Sequence, residues 1–140
     1  MQKRPIEVLE KIEIAERQLN RAITLLLQND DFVCAITLAG AAEGILAGLL
    51  KSQGKTDVLS DISQSSVDMG RAIGEKWDIG IFKSEFNFFK NELKHHDRGH
   101  ENIPIVKEAA LEIINRSIEN FRRITGKYSP KMIEFTSSHS

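Results

Sequence analysis

Asp31-Phe32-Val33-Cys34-Ala35-Ile36-Thr37-Leu38-Ala39-Gly40-Ala41-Ala42-Glu43-Gly44-Ile45-Leu46-Ala47-Gly48-Leu49-Leu50-Lys51-Ser52 decides the fold. It is apolar nearly all round, a pattern that belongs to a helix buried on several sides. Asp30 or Asp31 can cap it, because a short side-chain oxygen satisfies free N–H groups of a first turn. Gly40, Gly44 and Gly48 each cost about 1 kcal/mol relative to Ala in a helix. Close approach of another helix would offset that. The same length and the small-residue spacing also fit a membrane helix with a dimer face. Glu43 argues against this, since a mid-membrane charge costs about 2.5–3.5 kcal/mol on insertion scales. The expectation is therefore the central helix of a bundle, with no membrane partner.

The flanking sequence repeats the helical period. Before it, Leu9, Ile12, Leu19, Ile23 and Leu26 form a stripe with steps of three, four or seven, predicting a helix over 5–28 with Pro5 in its first turn. After it, 55–80 is the least regular stretch, read as a loop and then a short helix over 66–77. A fourth helix spans 81–96 and is broken by Asp97-Arg98-Gly99. A fifth is capped by Asn102, with Pro104 in its first turn and Gly126 after its end. Val106, Ala110, Ile113, Ile114, Ser117, Phe121 and Ile124 are its inward face. No strand pattern and no repeat is present. The expected fold is all-α, an up-and-down bundle of four long helices plus one short helix. A single domain covers 1–127. Residues 128–140 form a C-terminal tail, mobile or docked only through Met132, Ile133 and Phe135.

With 140 residues, the chain is long enough to bury a core without staples. Its net charge of −1 implies no broad basic surface, which weighs against nonspecific DNA binding. The single cysteine, Cys34, excludes an intramolecular disulfide and a cysteine-based zinc site, and its apolar setting predicts a buried thiol. Met1 to Pro5 lead into charged residues, so no secretory leader is read there and a cytoplasmic location is expected.

Chemistry concentrates at the end of the fourth helix, from Phe88 to Glu101, where three of the four histidines fall within six positions. Phe82, Phe86, Phe89, Leu93 and His96 make one stripe. Ile81, Ser84, Phe88, Asn91 and His95 make a second, about 120–140° away on an ideal helix. Phe88 on that second face is either a dimer seam or is buried against a neighbour. Glu43 needs a partner if buried, and His95, His96 or a lysine of the fourth helix are the candidates.

Lys90-Asn91-Glu92-Leu93-Lys94-His95-His96 resembles the motif of the HEPN superfamily of helical bundles: an Arg, a polar residue and then a His. Asn91 matches the polar position, His95 or His96 the histidine, and Lys90 stands where the Arg belongs. Ala41-Ala42-Glu43-Gly44-Ile45-Leu46 is similar to the pattern of that family's second helix. The resemblance implies a homodimer that works in defence or toxin–antitoxin systems, with RNA or a nucleotide as ligand and a cognate protein as a further partner. Some members are metal-independent endoribonucleases; others only bind. It makes Lys90, Asn91, His95 and His96 the candidate catalytic residues, with Glu43, Asp97 and Arg98 in support and no cofactor. In the catalytic members Arg stabilises phosphate charge and His transfers protons. Lys keeps the charge but loses the two-pronged geometry. Lys90 and His95 also point about 140° apart on one helix, so a composite site needs two chains. The leading expectation is a binding module, and the runner-up is a ribonuclease. A third reading is a metal site at His96, His100 and Glu101, with His95 and Asp97 nearby. Imidazole and carboxylate suit zinc, nickel or iron, although the spacing matches no recognised metal pattern.

Overall fold

The computed structural model describes residues 6–94, 102 and 104–139. They form helices and no strand: α1 (Lys11–Asn29), α2 (Phe32–Ser52), α3 (Val58–Ala72), α4 (Ile79–Phe86), α5 (Phe88–Lys94), α6 (Lys107–Thr125) and α7 (Pro130–Ser138). The all-α expectation holds for these residues, but the division into elements differs.

The core lies where α1, α2 and α6 meet. The stripe of α1 supplies Ala15, Leu19, Ala22, Ile23 and Leu26. Helix α2 supplies Ala35, Ile36, Ala39, Ala42 and Leu46, and α6 supplies Ala110, Ile113, Ile114, Ile118 and Phe121. Helix α1 begins at Lys11 rather than near residue 5, and Ile6 and Val8 ahead of it are exposed. Asp30 ends it in the left-handed conformation, and Asp31 caps α2 by accepting from the Cys34 amide at 3.1 Å. Cys34, expected to be buried, is exposed because it leaves α2 on its outer side. Its thiol pKa is raised by the hydrogen bond and charge of Asp31.

Three further helices depart from expectation. The third is a long one over Val58–Ala72, capped by Asp57 accepting from the Ser60 amide, and not a short helix over 66–77. Its Gly70 lies under the Trp77 indole, where a Cβ would come within 2.5 Å of the ring. The fourth is two short helices hinged at Asn87. The aromatic stripe it carries is only partly buried, with Phe89 and Leu93 packed against the core. The sixth is entered through Val106, which makes no side-chain cap; Asn102 does not cap it.

Within 128–139, Pro130–Ser138 form α7, docked through two of the three expected residues. Ser129 caps α7 by accepting from the Met132 amide, and its hydroxyl lies 2.7 Å from Asn20 Oδ1 on α1. Met132 and Phe135 are fully buried, while Ile133 is exposed. Two apolar anchors one turn apart hold so short a helix because its opposite face can stay in water.

Candidate functional site

Glu43 is buried on α2, facing α6 and the α4–α5 hinge. Arg116 of α6 grips it with both prongs: Nε donates to Oε2 at 2.6 Å and Nη2 to Oε1 at 3.0 Å. The rest of the guanidinium is used at the hinge, where Nη1 donates to the Phe86 carbonyl and Nη2 to Asn87 Oδ1, both at 3.3 Å. Arg116 is only 4% exposed. A buried ion pair is tolerated when its remaining donors and acceptors are satisfied, as they are here.

Lys90 joins from α5. Its Nζ lies 3.5 Å from Glu43 Oε1 and its side chain is 21% exposed. Its stem runs over Gly40, where a Cβ would sit 3.0 Å from Lys90 Cγ. So one of the three glycines of α2 does serve close approach, to a side chain rather than a backbone. Beside it, Thr37, Gly40, Ala41, Lys90 and Leu93 line a groove of about 200 Å³. Asn91, the next residue, is exposed.

Of the residues singled out in the sequence, Glu43 and Lys90 come together and Asn91 lies at their edge. The lysine named as one partner of Glu43 is in place. The principal partner, Arg116, was missed. Its signal was faint but present: position 116 borders Ile113, Ser117 and Asn120 on the inward arc of α6, where an unpaired cation would be costly. Arg116 spends its guanidinium on the carboxylate and the hinge, so it offers no free fork to a phosphate. Phe88 is 39% exposed and packs edge-on to Phe89 with ring centres 5.2 Å apart.

His95, His96, Asp97, Arg98, His100 and Glu101 lie outside the described residues. The described residues contain no group of three His, Cys, Asp or Glu side chains placed to hold a metal ion.

No protein-family model, curated protein or solved structure matches this chain.

Proposed function

We propose that the chain is a HEPN-like helical module, an up-and-down bundle that acts as a homodimer and binds RNA at the Lys90–Asn91 turn and the histidine-rich segment that follows. The observation that carries this reading is the commitment of Lys90 to Glu43 beside an exposed Asn91. Glu43 and Arg116 brace the hinge ahead of α5, so the turn is presented by a rigid support. The same commitment favours binding over catalysis. A lysine already facing a carboxylate is a weaker stabiliser of developing phosphate charge than a free arginine fork.

Fluorescence polarisation with a labelled single-stranded RNA, with and without chelator, tests it. Saturable binding weakened by Asn91→Ala and His95→Ala, with the RNA left intact, is the expected result. Chelator-resistant cleavage lost in His95→Ala and His96→Ala would replace this reading with a ribonuclease. No binding to RNA would end it.

A further inference from the structure

Among the described residues, the outer face of α2 is left exposed beyond the edge where Lys90 and Leu93 of α5 meet Thr37 and Ala41. The helix is long and apolar enough to cross a membrane, yet less than half of it is buried. Val33, Thr37, Ala41, Gly44, Gly48 and Lys51 are all exposed and recur at steps of four or three, so they lie within an arc of about 80°. Val33 is 44% exposed at one end, and a Cβ at Gly44 or Gly48 would meet nothing within 4 Å. Acidic Asp30 and Asp31 stand at the start of this face, and basic Lys51 stands at its end. Between them Glu43 is turned inward and paired, so the stretch from Val33 to Gly48 presents no charge on this face.

We infer that this face is the seam of a homodimer in which α2 packs antiparallel against α2 of a second copy, with the two-fold axis passing beside Ala41. Charge and size both select that partner and that direction. Turning one copy end for end sets Lys51 against Asp30 of the other, Val33 against Gly48 and Thr37 against Gly44. Each larger side chain then meets a glycine, as close ridge-into-groove packing requires. A parallel pair would oppose Lys51 to Lys51 and glycine to glycine, leaving like charges together and a gap between. An isologous contact must complement itself, and this stripe does so in only one direction. The groove of Thr37, Gly40, Ala41, Lys90 and Leu93 borders the same seam, so both Lys90–Asn91 turns would flank one two-fold axis. The inference rests on the dimeric part of the proposed function and assigns its surface.

Light scattering of the whole chain is expected to give a dimer. Gly44→Leu and Gly48→Leu fill open space in the single chain, so each variant keeps its helicity. Each raises the dimer dissociation constant at least about tenfold, which corresponds to 1.4 kcal/mol. Ala41→Cys in a Cys34→Ser background forms a disulfide-linked dimer on mild oxidation. The wild-type thiols do not, because antiparallel pairing holds the two Cys34 side chains about 20 Å apart along the helix axes, beyond disulfide reach. A strict monomer would remove both this seam and the dimeric reading. A dimer unchanged in folded Gly44→Leu and Gly48→Leu would remove the seam alone. A Cys34–Cys34 disulfide would mean parallel packing and overturn the direction. Flotation of the wild type, but not Gly48→Lys, with anionic phospholipid vesicles would show that this face meets a membrane instead.

Discussion

Arg116 and Arg123 leave α6 two turns apart and on closely similar bearings, and each meets a carboxylate at 2.6 Å. Arg116 with Glu43 is sealed from water, whereas Arg123 with Asp61 sits at the edge of α3 with the Asp61 side chain 44% exposed. The exposed end involves as many residues: Arg123 also donates to the Thr56 carbonyl at 2.8 Å and approaches Glu119, which pairs with Arg122. The difference teaches that burial, not the number of contacts, sets what such a pair is worth. Breaking a sealed pair strands a charge in the interior, while water replaces a lost surface partner.

The largest effect is therefore expected from Arg116→Ala or Glu43→Ala, each costing about 3–5 kcal/mol in urea unfolding. The joint Glu43→Met, Arg116→Met variant removes both charges and fills the space. It should be more stable than either single variant, because apolar replacement of a whole buried pair is often neutral or better. Single variants that lost less than about 1 kcal/mol would place this pair in the surface class with Arg123 and Asp61.

Lys90 sharpens the comparison, because it reaches the same carboxylate after Arg116 has already satisfied it. Lys90→Met keeps the stem over Gly40 and gives up only the 3.5 Å contact. The expected loss in thermal and urea melts is about 1 kcal/mol or less, the range of partly exposed pairs. A loss as large as that of Arg116→Ala would mean that Glu43 depends on both cations, and Lys90 would then be unavailable to any ligand.

These contrasts also mark what a linear reading could reach. The buried stripes of α1, α2 and α6 were legible because an apolar period of 3.6 is a property of adjacent residues. Glu43 was legible as an anomaly, an acid among Ala39, Ala42 and Leu46. Its main partner was not, because Arg116 lies on another helix and an arginine beside an apolar stripe is ordinarily solvated. Tertiary contacts also explain the misread elements. Helix α3 extends upstream of the expected start because Asp57 caps it and Asn120 Oδ1 accepts from the Val58 amide at 2.9 Å. The fourth helix divides at Asn87, where Arg116 takes the Phe86 carbonyl and the Asn87 side chain. In the candidate site, Lys90 and Asn91 were named from the motif and a lysine of the fourth helix was a candidate partner of Glu43, but the sequence could not choose it over His95 or His96.

The smallest effects belong to the exposed end of α6, and there pH separates the two regions. For Asp61, burial pushes the carboxyl pKa up, but the hydrogen bonds from Arg123 and Thr56 and the charge of Arg123 bring it below the ordinary value. Glu119 is lowered mainly by its hydrogen bond from Arg122, against a smaller upward push from burial. Both folded values lie below the unfolded ones, so their stabilisation is complete above the ordinary carboxylate range, about 4, and is lost as pH falls through the lowered folded values. Arg123→Gln should thus cost about 0.2–1 kcal/mol at pH 7, less in high salt, and progressively less below pH 4. Urea midpoints of wild type and variant, followed from pH 7 to pH 3, should converge at the acid end. Midpoints that stayed equally far apart at pH 3 would show that Arg123 acts through the Thr56 carbonyl, which does not titrate, and not through the carboxylates. The α3–α6 contact would then be held by a neutral acceptor, and the exposed end would owe its strength to geometry rather than charge.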